Sequence, residues 1–189
     1  MKSEINSITY VCESMSFTES QTPPGGAYPL TLGIDPGKAG GIAWKFAGGR
    51  VGVMPMPKAE AEIVSFIQEL WSAGEAASTS NPSGIAYIEK VGGYTGSPQP
   101  GSRMFTFGKN VGVIMGGLYA AGFRIIEVAP TAWQKTLSLG GIDPKKRKAE
   151  FKNRAHQLYP ELRKQITLKT ADALLIFEYA CRAQKAGTI

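Results

Sequence analysis

Cysteine and histidine are scarce in this chain of 189 residues, and it contains no long apolar run. The two cysteines, Cys12 and Cys181, lie far apart, which argues against a disulfide framework and favours a reducing, cytoplasmic setting. The one histidine, His156, argues against a His-rich zinc site and against a Ser-His-Asp triad. Because no apolar stretch approaches the roughly 20 residues that cross a bilayer, we expect no membrane partner. Catalysis by this chain would therefore rest on carboxylates or lysines.

The first 28 residues differ from the rest of the chain. They lack a regular hydrophobic period and the continuous apolar core of a secretory signal, and they lead into the Pro/Gly-rich stretch QTPPGGAYP. We predict that residues 1–28 form a flexible N-terminal extension, with a loosely docked strand near residues 8–11 as the alternative. Residues 29–189 have the length of one ordinary domain, and the 43% of hydrophobic residues in the chain is typical of a globular protein.

Basic residues outnumber acidic ones by 21 to 15, and much of the excess lies in one short segment. The run KKRKAEFKNR, residues 145–154, contains six Lys or Arg side chains and one Glu. Clusters of this kind attract polyanions by displacing their counterions. The segment therefore predicts a surface for nucleic acid, with a solvated helix face as the alternative interpretation.

Hydrophobic periodicity predicts a mixed α/β sheet with helices packed on its faces. Short apolar runs predict strands at residues 30–35, 41–49, 50–57, 84–91 and 123–130, with Gly48-Gly49 as a hairpin turn. Helical spacing predicts helices at residues 59–73, 104–122, 146–158 and 169–185. The predicted order is three strands, a helix, a strand, a helix, a strand and then helices.

Three carboxylates lie where apolar side chains are expected. Asp35 ends an apolar strand before a tight turn, Glu89 lies in a strand of the buried type, and Asp172 lies on an apolar helix. An acid on a core-facing surface is costly unless it is paired or bound to a metal. Taken singly, Asp35 could form a turn, Glu89 could pair with a lysine, and Asp172 could favour a helix N-terminus. Taken together, the three predict a shared cation site.

The segments around these acids resemble the RuvC-type Holliday junction resolvases, in particular their compact phage-like branch. The resemblance covers about residues 30–183, through LGIDPGKAGGIAW, IAYIEKV, MFTFGKNVGVIMGGLYAAG, VAPTAWQKTL and TADALLIFEYA. It implies an α/β RNase H-like fold, a mixed sheet flanked by helices, in a nuclease domain over residues 29–189. It also implies a homodimer that cleaves four-way DNA junctions with a divalent metal.

The resemblance implies two Mg²⁺ ions per active site, for which Mn²⁺ would substitute. By matching motifs, Asp35 would bridge both ions, Glu89 would hold one and Asp172 the other. The family usually has a fourth acid about one turn before the last Asp, whereas this chain has Lys169 there. A protonated lysine cannot bind Mg²⁺. Lys169 is therefore a candidate contact for the scissile phosphate, with a solvated lysine at the helix start as the alternative.

Candidate DNA contacts lie in the loop after Glu89, in the helix that follows it and in the basic run. In the loop at residues 92–105, Tyr94 is the main candidate to stack on bases exposed at a junction centre. Phe105 is a second candidate, with core packing as its alternative, and Trp133 is expected to pack against the body. The candidate DNA-binding residues are Tyr94, Arg103, Phe105, Lys109, Lys135, Lys145, Lys146, Arg147, Lys148 and Lys152.

We expect a crossover junction endodeoxyribonuclease of DNA recombination and repair, in the cytoplasm or on the nucleoid, encoded by a phage or a cell. Paired nicks in opposed strands need two identical sites that face a symmetric substrate, hence the homodimer. The side chains that would form the dimer face, or else lie in the core, are Met104, Val111, Met115 and Leu118. Two alternatives are a broader RNase H-like nuclease for branched DNA or RNA–DNA hybrids, and a junction-binding protein whose catalytic centre is weakened by Lys169.

Overall fold

The computed structural model describes residues 28–77, 84–92 and 100–187, which form five strands and five helices. The strands are β1 (Leu30–Asp35), β2 (Gly41–Phe46), β3 (Val51–Pro55), β4 (Gly84–Glu89) and β5 (Arg124–Val128). The helices are α1 (Glu60–Ala77), α2 (Gly101–Ala121), α3 (Pro130–Thr136), α4 (Arg147–Leu158) and α5 (Ala171–Lys185), and a 3-10 turn spans Pro160–Leu162. In these ranges no helix is both long and apolar enough to span a membrane.

The sheet is mixed, with the strand order β3-β2-β1-β4-β5. On one side, β1, β2 and β3 pair antiparallel as a meander. On the other side, β1 pairs parallel with β4, and β4 pairs parallel with β5. Ile34 lies opposite Ile88, so the next residues, Asp35 and Glu89, end two neighbouring parallel strands at the same edge of the sheet.

Side chains along each strand alternate between two hydrophobic cores, one on each face of the sheet. Leu32 and Ile34 pack in the core that α1 and α2 cover. Tyr87 packs in the other core, which is formed with α3, α4 and α5. Asp35 follows Gly33 by two residues and Glu89 follows Tyr87 by two, so both acids belong to the face that α5 covers.

Some element boundaries differ from those that the sequence predicts. The sequence predicts a strand that ends at residue 130 and then a loop, whereas the structure has α3 there; Pro130 at the first helical position and burial of Trp133 favour the helix. Helix α1 continues past the predicted end at residue 73 to Ala77, and a Cβ at Gly74 would lie 3.4 Å from the Leu30 side chain. The predicted N-terminal extension lies outside the described residues, apart from Tyr28.

Several predictions about individual apolar side chains can be compared with the structure. Phe151 and Ala155 of α4 are buried, as the apolar stripe of that helix predicts. Leu118 is fully buried in the core with α1, so it cannot form a dimer face. Phe105 is 73% exposed, so the alternative that it packs in the core is wrong.

Helix α5 lies directly on β1, and this contact depends on the absence of a side chain at Gly33. A Cβ at Gly33 would overlap the backbone nitrogen and Cα of Phe177 in α5. Asp172 lies five residues before Phe177, about 7.5 Å along a helix, and Asp35 lies two residues after Gly33, about 6.6 Å along a strand. Because the helix runs antiparallel to the strand, the close approach brings Asp172 to the end of β1.

We expect Gly33→Ala to lower the free energy of unfolding by about 3 kcal/mol, the upper end of the usual cost of overpacking. The added methyl group would have to displace helix backbone rather than a flexible side chain. Gly140→Ala is the matched control, because a Cβ at Gly140 meets open space, and its effect should stay within about 0.5 kcal/mol. Urea unfolding followed by circular dichroism measures both. Wild-type stability of Gly33→Ala would contradict the close approach of α5.

Candidate active site

Three acidic side chains meet at the carboxyl edge of the sheet, and we name Asp35, Glu89 and Asp172 the acid cluster. Asp35 is the last residue of β1, Glu89 is the last residue of β4, and Asp172 is the second residue of α5. Each of the three carboxylates interacts electrostatically with the other two. Asp35 and Glu89 are half-buried, and Asp172 is buried. The structure therefore brings together the three acids that the sequence singles out.

The turn after β1 holds the backbone of Asp35 in place. The backbone N–H of Gly37 donates to Oδ1 of the buried Asn110 in α2, at 2.9 Å. A Cβ at Gly40 would overlap the carbonyl oxygen of Asp35, so only glycine fits there. Asn110 is a positioning residue that the sequence does not reveal, because one polar residue within an apolar helix has no distinctive spacing.

Burial and the nearby carboxylates make Asp35 and Glu89 hard to ionise. Burial raises the pKa of Asp35 to about 7; the Asp172 and Glu89 carboxylates add to the rise, and Lys148 opposes it. Burial also raises the pKa of Glu89, although a hydrogen bond from Trp133 acts in the opposite direction. A cation among these carboxylates would favour their ionised forms.

Trp133 in α3 connects Glu89 to the core. Its indole Nε1–H donates to Oε2 of Glu89 at 2.9 Å. Its ring is fully buried and lies edge-on to Phe151, with 5.1 Å between the ring centroids. The prediction that Trp133 packs against the body is confirmed. Its hydrogen bond to Glu89 was not predicted, because the sequence does not show which way an indole N–H points.

Lys148, in the first turn of α4, supplies a positive charge to the acid cluster. Its Nζ lies 2.6 Å from Oδ2 of Asp172. Burial alone would lower the pKa of Lys148, but the carboxylates of Asp172, Asp35 and Glu89 outweigh burial and raise it. The sequence assigns Lys148 to an outward-facing basic surface, whereas the structure places its ammonium group against the acids. The side chain is still 55% exposed.

The donor set of the acid cluster fits a hard divalent cation. Oδ1 of Asp172 is buried and has no hydrogen-bond partner. A buried acceptor without a partner is costly, and carboxylate oxygens are the ligands that Mg²⁺ prefers. Among the described residues, no three His, Cys, Asp or Glu side chains are spaced closely enough to hold a metal ion as they stand. The three carboxylates would therefore have to draw closer around a cation.

Lys169 lies in a tight turn before α5, at the rim of the acid cluster. The buried hydroxyl of Thr170 fixes this turn by donating to the carbonyl oxygen of Gln165 at 2.8 Å. A Cβ at Gly41 would lie 3.1 Å from the carbonyl oxygen of Lys169, and Gly41 is the β2 residue opposite Asp35. The Lys169 side chain is exposed. It is thus available to a ligand that approaches the acids from solvent.

Phe105 lies at the end of α2 that is near the acid cluster. Phe107, two residues later, contacts the turn after β1, because a Cβ at Gly37 would lie 3.0 Å from its ring. The exposed ring of Phe105 lies in the same end of α2 but on a different face of the helix from Phe107. Burying such a ring against a ligand would be favourable.

The remaining candidate DNA-binding residues are arranged around this edge. Arg103 is exposed in the first turn of α2, and Lys109 pairs with Glu60 of α1 at 2.9 Å. Exposed cationic side chains of α3, α4 and the turn before α4 are Lys135, Lys145, Lys146 and Arg147, and Lys152 is half-buried. Tyr94 lies outside the described residues.

No protein-family model matches this sequence, and no curated protein sequence does. The structure is similar to that of RuvC from Thermus thermophilus, with a TM-score of 0.53 and 16% identity over 84% of this chain and 97% of RuvC. It is similarly related to T. thermophilus RuvC in complex with a Holliday junction substrate, with a TM-score of 0.52, 15% identity and the same coverage of both chains. The predicted α/β, RNase H-like fold is confirmed.

We expect Asp35→Asn to be more stable than the wild type above about pH 7 in metal-free buffer. Between the ordinary pKa of aspartate, about 3.9, and the folded pKa of about 7, the folded wild type binds more protons than the unfolded chain. Wild-type stability therefore falls as pH rises through this range, and Asp35→Asn avoids the loss. The gain should be about 1–3 kcal/mol, below the full linkage value because Asp35 is only half-buried.

Thermal unfolding in EDTA at several pH values measures this difference. The advantage of Asp35→Asn should shrink as pH falls toward about 4, where the carboxyl is protonated in both states. An advantage that stays constant from acid to alkaline pH would show that Asp35 is not held in a crowded, partly desolvated site.

Proposed function

We propose that this chain is a metal-dependent, structure-selective DNA endonuclease that resolves four-way junctions by paired symmetric nicks as a homodimer. The observation that supports this most directly is the acid cluster, at the carboxyl edge of a sheet similar to that of RuvC, one of whose structures contains a Holliday junction substrate. A cationic segment, residues 145–148, lies beside the cluster, because Lys148 contacts Asp172. Such an enzyme would act in the cytoplasm or on the nucleoid, in DNA recombination and repair.

The acid cluster would hold Mg²⁺, or Mn²⁺ in its place, in two positions. Asp35 would contribute to both positions, Glu89 to one and Asp172 to the other. Divalent ions bound there would supply Lewis acidity for hydrolysis of a phosphodiester by water. Oδ1 of Asp172 has no hydrogen-bond partner and the pKa of Asp35 is raised, so a bound cation would favour the ionised form of Asp35 and give Oδ1 a partner.

The protein itself holds the carboxylates in place for this chemistry. Trp133 orients the carboxylate of Glu89, and the bond from Gly37 to Asn110 fixes the backbone that carries Asp35. Both contacts come from buried groups, so they hold the carboxylate of Glu89 and the backbone next to Asp35 in place. Pre-organisation of this kind lowers the reorganisation needed during the reaction.

The cationic side chains around the cluster would bind the DNA backbone. The segment at residues 145–148 would contact phosphates and hold the substrate without reading its sequence. Lys169, at the rim, would contact the scissile phosphate. A second copy of the chain would present an identical site to the opposite strand, because a four-way junction has two-fold symmetry. Met104, Val111 and Met115 of α2 remain partly exposed and are candidates for that interface.

Two other functions make different predictions. A broader RNase H-like nuclease would cut three-way DNA or RNA–DNA hybrids as fast as four-way junctions. A junction-binding protein with a weakened centre is favoured by Lys169 in place of a fourth acid and by the spacing of the acid cluster, which is too wide for a metal in the described structure. It would bind four-way junctions and cut none in Mg²⁺ or Mn²⁺.

We expect Glu89→Gln to reduce cleavage of a synthetic four-way junction by about a thousandfold or more, because a metal ligand loses its charge. Glutamine can still accept the hydrogen bond from Trp133, so the fold and junction affinity should be preserved. The measurement is strand nicking in a Mg²⁺ titration, together with junction binding in EDTA.

Glu127→Gln is the matched control for this variant. Glu127 lies on the neighbouring strand β5, opposite Ile88, and its side chain is exposed. The substitution Glu127→Gln therefore removes the same charge one strand away, and cleavage should stay at the wild-type rate. Wild-type cleavage by Glu89→Gln would contradict the assignment of the acid cluster as the catalytic centre.

We expect Phe105→Ala to weaken binding to a four-way junction by about tenfold, the loss of one aromatic ring that stacks on a base. Tyr119→Ala is the control, since Tyr119 is also exposed but lies at the far end of α2. Fluorescence anisotropy with a four-way junction and with a linear duplex of equal length distinguishes a loss of junction binding from a general loss of DNA binding. An equal loss in both variants, or none in Phe105→Ala, would contradict a contact between Phe105 and the junction centre.

A further inference from the structure

Lys148 contacts an oxygen that a metal ion would also need. Its ammonium nitrogen lies 2.6 Å from Oδ2 of Asp172, and the other oxygen of that carboxylate is buried without a partner. The carboxylates of Asp35 and Glu89 also attract Lys148, as its raised pKa shows. A single ammonium group therefore partly neutralises all three members of the acid cluster.

An ammonium group and a divalent cation in the same cluster compete with each other. The two repel at short range, and the burial of Asp172 reduces the screening on one side while water screens the half-exposed Lys148 on the other. A metal ion that binds the cluster must therefore displace Lys148 or bind more weakly in its presence.

We propose that Lys148 is a coupling residue: it neutralises Asp172 while DNA is absent, and moves to a DNA phosphate when substrate binds, which frees the carboxylate for metal. The proposal rests on the function proposed above. It makes the binding of DNA and the binding of metal mutually favourable, because each removes an obstacle to the other. The coupling would keep the metal site weak until a phosphodiester is in place.

The position of Lys148 in α4 permits this exchange. The side chain is 55% exposed and is attached to the first turn of the helix, where it can rotate toward solvent without unfolding. Phe151 and Ala155 anchor the same helix in the core, so its backbone need not move. Lys146 and Arg147, the two residues before Lys148, are exposed and would bring phosphates to that helix end.

Binding of Mn²⁺ to the full chain without DNA tests the first half of the proposal. We expect Lys148→Gln and Lys148→Met to bind Mn²⁺ at least about fivefold more tightly than the wild type, the lower end of typical coupling between two sites. Lys185→Gln, which removes the same charge from the far end of α5, should leave the affinity unchanged. Electron paramagnetic resonance of free Mn²⁺ gives the affinities, and a merely structural role for Lys148 would not make metal bind more tightly.

Binding of Mn²⁺ in the presence of a short linear duplex, which a junction-selective enzyme leaves uncut, tests the second half. The duplex should raise the Mn²⁺ affinity of the wild type by at least about fivefold and should have a smaller effect on Lys148→Gln and Lys148→Met. Equal or weaker Mn²⁺ binding by both variants without DNA, an equal gain in Lys185→Gln, or no Mn²⁺ binding by any chain at millimolar concentrations would overturn the proposal. Junction cleavage by the wild type is measured separately. If the coupling role of Lys148 is wrong, the proposed nuclease function is therefore still tested on its own.

Discussion

Burial of neighbouring carboxylates, with repulsion between them, is the constraint on which the rest of the site depends. Burial and the neighbouring acids raise the pKa of Asp35 to about 7. The folded chain therefore favours the neutral carboxyl at pH values where the same group in water would be ionised. Two contacts with neighbouring residues favour the ionised carboxylates. Trp133 donates to Glu89, and Lys148 pairs with Asp172. The acid cluster is therefore a region where local stability is lower than it would be with apolar side chains, as is common where side chains are arranged for function.

The fold keeps the acids together by fixing three separate backbones relative to one another. Parallel pairing of β1 and β4 sets the distance between Asp35 and Glu89, and it cannot change without breaking the centre of the sheet. Close packing of α5 on Gly33 sets the position of Asp172. Cores on both faces of the sheet offset the repulsion at its edge. Side-chain rotation, rather than backbone movement, is what remains available to adjust the spacing of the three carboxylates.

The sequence alone predicted the strands that carry Asp35 and Glu89, because an apolar run with an acid near its end indicates both the strand and the edge of the sheet where it stops. It was sufficient for the mixed sheet too, since the order of strands and helices limits the topology. It did not predict the contacts of Lys148 and Trp133 with the acids. Those contacts depend on where α3 and α4 pack on the sheet and on the rotamers of two long side chains, neither of which leaves a periodic signal. The short helix α3 was not predicted for a related reason: burial of Trp133, a tertiary contact, stabilises it.

Opposite charges lie side by side in this molecule, and their arrangement constrains how a phosphodiester could approach. The acid cluster repels phosphate, whereas the segment at residues 145–148 attracts it, and Lys148 belongs to both. A polyanion drawn to this segment would weaken the hold of Lys148 on Asp172 and would leave the carboxylates less neutralised. The cluster would then bind divalent cations more strongly at the moment when a phosphate is near enough to share them.

Lys169 at the rim adds a positive charge on the other side of the cluster, next to β2, where it attracts phosphate without pairing with Asp172. In the proposed function, Lys169 would therefore attract the phosphate, while the three carboxylates, water and phosphate would bind the metal.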